Sequence, residues 1–149
     1  MAQTSFRCSL VTPTEKLLDE EAVYASVPSW DGSFGVLPGR APVLARLGIG
    51  PLTLRVADSD KGQGGERSFF IAKGFVKMSA DGLTILAEEA IPAERLNQTD
   101  CQAELKEAEA RVVPDDAEDR TAERERIADA RKAAKVKLEL AAEGRSKGI

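Results

Sequence analysis

The side chains that carry most enzymatic chemistry are sparse in this chain and badly spaced for it. Its 149 residues include no histidine, so Ser-His-Asp and Cys-His nucleophiles and the histidine-containing zinc sets are unavailable. Cys8 and Cys101 fall one in each half. Two lone cysteines cannot build a structural zinc site, and both are read as reduced, Cys8 as a small strand residue and Cys101 as a filler on a helix face. Acidic pairs stand at Glu88–Glu89 and Asp115–Asp116. Adjacent residues on a strand point to opposite faces, and the second pair sits at a helix cap, so neither has the placement of a general acid–base couple. The run Lys61-Gly-Gln-Gly-Gly65 has the glycines of a phosphate loop. It lacks the Gly-Lys-Ser/Thr ending and leads into a strand, so it reads as a hairpin turn. No catalytic residue, cofactor site or metal site is expected.

The elements that would position any site divide the chain in two. All seven aromatic residues precede residue 76, whereas 26 of the 59 residues from Ile91 onward are charged, against 20 of the 90 before it. The first part can build a compact core and the second cannot. Phe6, Cys8 and Leu10 alternate with Arg7 and Ser9, Val23, Ala25 and Val27 repeat the pattern, and Leu52, Leu54 and Val56 continue it. Period two marks half-buried strands. A polar, glycine-rich turn is expected from Asp58 to Glu66, then a strand from Ser68 to Ala72, then Phe75–Met78 and Leu83–Leu86 joined as a hairpin through Ser79-Ala80-Asp81-Gly82. Many short strands without helical period indicate a β-sandwich.

Between two of these strands lies GSFGVLPGRAPVLARLGIGPL, Gly32 to Leu52, with eight glycines and prolines among apolar residues. It is expected to be a stiff irregular loop that is buried or serves as a docking surface. A net charge of −4 and pI near 5.0 argue against nucleic acid as a partner, which needs a concentrated cationic surface. No apolar run approaches the roughly 20 residues that span a bilayer, and MAQTSFRCSLVTP enters strand alternation at once, so neither a membrane span nor an export or transit signal is expected.

Pro92 changes the regime. Asn97 is placed to cap a helix whose face is Cys101, Leu105, Ala108 and Val112. Pro114 ends it, and Asp115 with Glu118 resembles a capping box opening a second helix, with Ile127, Ala130, Ala134, Leu138 and Ala141 on one face. Two helices and a short turn make an αα-hairpin. Alanines make up most of the second face, which anchors a helix weakly and permits more than one position. Asp115 to Asp129 holds seven acids and three bases, Ala130 to Ile149 six bases and two acids. That order complements the helix dipole; it also offers an acidic partner surface the bases Arg124, Arg126, Arg131, Lys132, Lys135 and Lys137.

The Gly32–Pro42 run resembles the signature of the epsilon subunit of the F-type ATP synthase, with Arg40 where that family usually has histidine. GGERSFFIAKGFVKMSADGLTILAEEAI, Gly64 to Ile91, is similar to its second characteristic stretch, and the likeness spans essentially the whole chain. The resemblance implies an α+β protein of segregated domains: residues 1–90 an antiparallel β-sandwich of about ten strands that binds stalk and ring, residues 91–149 a mobile regulatory two-helix hairpin. It implies a non-catalytic rotor subunit, peripheral on the cytoplasmic face of the bacterial inner membrane or the equivalent organelle face, coupling ion-driven rotation to ATP synthesis. The implied partners are the gamma subunit, the c-subunit ring and, through a hairpin that inhibits hydrolysis, the alpha/beta catalytic head. Ser33, Phe34, Arg40, Ala41 and Pro42 are the candidate ring and stalk contacts. Some members bind ATP through Ile/Leu-Asp-x-x-Arg-Ala; here the matching positions run from Leu96 to Cys101, with Asn97 for aspartate and Asp100 for arginine, so ATP binding there is expected to be weak or absent. The alternatives are a free-standing sandwich adaptor with a helical tail and a nucleotide-sensing module.

Overall fold

The computed structural model describes residues 5–57 and 65–147, the last four by backbone alone. The Asp58–Glu66 turn and the Lys61–Gly65 run lie outside the described residues except for Gly65 and Glu66. Two compact units divide after Pro92.

Among the described residues the first unit holds seven strands: β1 (Phe6–Val11), β2 (Lys16–Ser29), β3 (Gly32–Val36), β4 (Val43–Arg46), β5 (Ile49–Val56), β6 (Glu66–Ser79) and β7 (Gly82–Pro92). The expected sandwich is present with fewer strands than the ten anticipated, because long strands change partner without a break. β2 pairs with β1 through its first half and with β3 and β5 through its second. β6 pairs with β5 up to Ala72 and with β4 from Phe75, and the switch falls at Lys73 (φ 63°) and Gly74 (φ 121°). The sheet closes on itself in the circuit β1-β7-β6-β5-β2-β1. One of these pairings, β1 with β7, is parallel, a departure from the all-antiparallel expectation.

Phe6, Cys8 and Leu10 are buried as their alternation predicts, joined in one core by Leu52, Leu54, Ile71, Val76, Leu83 and Ile85. The Val23-Ala25-Val27 pattern is only partly right. Ala22 is buried and Val23 is not, because the β2–β5 register shifts between Ala22 and Tyr24 and the extra residue reverses the inward phase. The Gly32–Leu52 run is likewise no continuous irregular loop: β3, β4 and the start of β5 occupy most of it, leaving Leu37–Pro42 as the loop proper. Its glycines partly serve strand contact. A Cβ on Gly48 would lie 2.5 Å from the Ser29 carbonyl oxygen.

Cys8 is wholly buried, and its thiol is pushed up to about 12, first by burial and then by Asp19 and Glu20. Unfolded, a cysteine ionises near pH ~8.5. The native state therefore keeps a proton that the unfolded chain releases, so this stabilisation is complete below that pH and drains as pH rises toward the folded value. Urea unfolding of the whole chain should show stability falling above pH ~9 by up to about 1.4 kcal/mol per pH unit more steeply than in Cys8→Ala. Parallel slopes for the two proteins would refute it.

The second unit opens with a 3-10 turn, Ala93–Arg95, and two helices, α1 (Gln98–Ala110) and α2 (Arg120–Lys147). Asn97 caps α1 as expected, its Oδ1 accepting from the Thr99 and Asp100 amides at 2.8 and 3.3 Å. α1 stops earlier than its apolar stripe predicts: Arg111 is already extended, and Val112 is 79% exposed. Pro114 accounts for this by disfavouring helix just ahead of it. The cap of α2 is Asp119, not Asp115; its Oδ1 accepts from the Ala122 amide at 3.0 Å, while Asp115 and Asp116 lie in a turn where the Ala117 amide donates to the Pro114 carbonyl.

Candidate functional site

Ser33 and Phe34 are neighbours on β3, paired with Pro28 and Val27 of β2, so their side chains leave opposite faces of the strand. Ser33 is exposed, whereas Phe34 packs half-buried against the core. The loop after β3 folds back on it. The Arg40 amide donates to the Leu37 carbonyl at 3.2 Å, and its Nη1 donates to the Gly35 carbonyl at 3.1 Å. Its guanidinium carbon lies 5.3 Å from the centre of the Phe34 ring, a cation over an aromatic face. Phe34 and Arg40 are thus one assembly, with the charge held in place. Arg40, Ala41 and Pro42 turn toward a different feature, a cleft of about 320 Å³ that they share with Phe6, Arg7, Met78 and the β6–β7 turn at Ala80–Gly82. Ser33 and Phe34 do not line it. The five residues therefore make two adjoining surfaces instead of one pocket.

The basic residues of the hairpin divide as well. At about 100° per residue, Arg124, Lys132 and Lys135 fall within about 80° of arc on α2, and all three are exposed. Arg126 points about 200° away from Arg124 and is engaged by Glu123 on its own helix. Arg131 stands at the edge of the seam with α1, donating from Nε to the Ala108 carbonyl at 3.1 Å and from Nη2 to those of Glu109 and Arg111 at 3.1 and 3.0 Å. Lys137 reaches Glu104 on α1 at 3.0 Å. Sequence reasoning missed Leu140, which is buried off the predicted face alongside Ala134 and Ala141. The alanine stripe masked it, although α2 also packs against the 3-10 turn.

Reactive groups stay dispersed. Glu88, Glu89, Asp115 and Asp116 are exposed, and no group of metal-ligating side chains occurs among the described residues. Both cysteines are free and buried. Burial raises the Cys101 thiol, with a further push from Glu104, which makes it a poor nucleophile. No helix among the described residues is long and apolar enough to cross a membrane.

Fold and surfaces define a two-part chain, a closed β-sandwich followed by a helical hairpin, whose distinctive side chains make surfaces and ties between elements. The chain belongs to the ATP synthase epsilon family. Residues 5–93 match the family described as ATP synthase, Delta/Epsilon chain, beta-sandwich domain. The ATP synthase epsilon chain of Rhodopirellula baltica is 36% identical over 104 residues, 70% of this chain and 77% of that one. That of Granulibacter bethesdensis is 34% identical over 82% of this chain and 85% of its own. Among solved structures, a chain in the cryo-EM structure of the Euglena gracilis mitochondrial ATP synthase superposes with a TM-score of 0.73 at 23% identity, covering 95% of this chain and 84% of that one. It attests the shared fold.

Proposed function

We propose that this chain is a non-catalytic central-stalk subunit of a rotary ATP synthase, carrying rotation of a membrane ring to the catalytic head. Membership of the epsilon family is the observation that supports this most. In this reading residues 1–90 bind the gamma subunit and the c-subunit ring, and residues 91–149 form a movable hairpin that brakes ATP hydrolysis by meeting an acidic surface of the alpha/beta head. The chain acts at the membrane face from which the head projects, the cytoplasmic face in a bacterium, held there through the complex.

Ser33, Phe34, Arg40, Ala41 and Pro42 form the ring and stalk contact in this proposal. Arg40, fixed over Phe34, supplies a permanent charge for a polar ring loop. Arg124, Lys132 and Lys135 supply the hairpin's charge, with Arg131 joining them when it leaves α1; Arg126 contributes least, being turned to Glu123. ATP is not the hairpin's ligand in this reading, since Asn97 spends its carbonyl on the helix cap and Asp100 would repel a phosphate.

Mixing the chain with purified gamma subunit is expected to yield a one-to-one complex by size-exclusion chromatography with light scattering, and two separate species would overturn the assignment. Arg40→Ala should still bind gamma but lower the affinity of the gamma-bound chain for the ring about two- to fivefold, the range of an exposed charge contact. Unchanged ring affinity and unchanged proton coupling in the reconstituted enzyme would remove Arg40 from the contact.

A further inference from the structure

Arg131 belongs to α2 but closes α1. Its side chain crosses to the carbonyls of Ala108, Glu109 and Arg111 at the C-terminal end of α1, where the last carbonyls run short of intrahelical donors and the dipole favours a cation; of the three, the Ala108 oxygen also accepts the Arg111 amide at 3.3 Å. One forked guanidinium makes all three bonds, a geometry a lysine ammonium cannot reproduce. Six residues further along α2, Lys137 meets Glu104 at 3.0 Å with only 12% of its side chain exposed. The apolar material around these ties is thin: among the described residues of this unit the larger Leu105, Ile127 and Leu138 are only half-buried, and the buried side chains besides Leu140 are Cys101, Ala108, Ala134 and Ala141. A seam of such small side chains contributes little on its own, so polar ties weigh heavily in keeping the helices together.

We propose that Arg131 is the latch of the hairpin, and that closing α1 and docking on an acidic partner are competing uses of its guanidinium. The second half of this statement rests on the braking role proposed above; the first does not. While the hairpin is closed, Arg131 is spent on α1 and the charge offered outward is that of Arg124, Lys132 and Lys135. When α2 leaves α1, Arg131 joins those three on the same arc. Opening and the gain of a fourth docking charge then become one event, so a partner that binds the open form draws on charge the closed form withholds.

The test uses the full chain with spin labels at exposed Gln102 and Glu139, after Gln102→Cys and Glu139→Cys, and reads the α1–α2 distance by double electron–electron resonance. Losing three charge-assisted bonds at a partly exposed site, Arg131→Ala should raise the separated population about tenfold. Lys132→Ala, which removes an exposed neighbouring charge, should leave it unchanged. An Arg131→Ala distance distribution matching the unsubstituted chain would overturn the latch. So would loss of helix content by circular dichroism without separation, which would make Arg131 a helix cap and nothing more. Hydrolysis by the assembled enzyme reads the second half separately. Arg131→Lys keeps the charge but loses the fork, so it should open the hairpin and lower hydrolysis; an opened hairpin with unchanged hydrolysis would overturn the competition and the braking role while the latch stood.

Discussion

Replacing Gly74 with valine is expected to cost the β-sandwich more than about 4 kcal/mol, enough to leave much of the chain unfolded at 25 °C. A Cβ at this position would lie 2.0 Å from the Leu86 carbonyl oxygen and 2.9 Å from the Ala87 α-carbon. Both are backbone atoms of β7 and cannot rotate away. The residue also holds φ at 121°, where L side chains are strained, and its carbonyl accepts the Leu47 amide at 2.8 Å. Accommodating valine means separating β6 from β7 at the point where β6 passes from β5 to β4. Urea denaturation of the full chain measures the loss, and Gly74→Ala should shift the midpoint in the same direction. Gly65 provides the control, because nothing lies within 4 Å of a Cβ there and its alanine variant should unfold within about 0.5 kcal/mol of the unsubstituted chain. A Gly74→Ala midpoint equal to that of Gly65→Ala would show that the close approach is not a constraint.

Deleting residues 97–149 is expected to raise ATP hydrolysis by the assembled enzyme, with rotor assembly intact. The cluster that makes the sandwich core is drawn from β1 to β7 and Leu47, so the first unit has a core of its own without the helices. The size of the rise reports how often the brake is engaged: about twofold if engaged half the time, about tenfold if nine-tenths. An unchanged rate at normal incorporation would confine the hairpin to a structural role. The comparison with Arg131→Lys is informative here, since truncation removes the brake and the substitution frees it, and the two should move hydrolysis in opposite directions.

Periodicity carried much of this architecture into the sequence. Phe6, Cys8 and Leu10 could be assigned inward because β1 keeps one register with β2 from Phe6 to Leu10, its irregularity coming only at Val11, and Asn97 could be assigned as a cap because capping is settled within three residues. Features that depend on distant partners were not legible. The bulge that exchanges Ala22 for Val23 is fixed by β5, some thirty residues away. Strands hid inside the Gly32–Leu52 run because glycine and proline usually mark turns, and only the approach of Ser29 explains why Gly48 is small. Asp119 captured the cap from Asp115 because the chain first makes a turn after Pro114. In the candidate site, Arg40 was legible as a charge at a distinctive position, but its seat over Phe34 was not. Arg131 looked like one basic residue among several, and nothing local distinguishes a side chain that ends another helix 20 residues upstream.

The hydrogen-bonded circuit of the sandwich has a mechanical meaning. β1 pairs antiparallel with β2 on one side and parallel with β7 on the other, and this double pairing turns a curled strip into a closed section. A strip twists by letting its two long edges slide past one another, each strand pair shearing a little. Joined edges cannot slide, so torsion must stretch or break backbone hydrogen bonds all the way round. Cys8 to Val11, the four residues of β1 paired with β7, thus act as the weld that makes a tube out of a slit one, and the stiffness of the whole unit against twisting depends on that short seam.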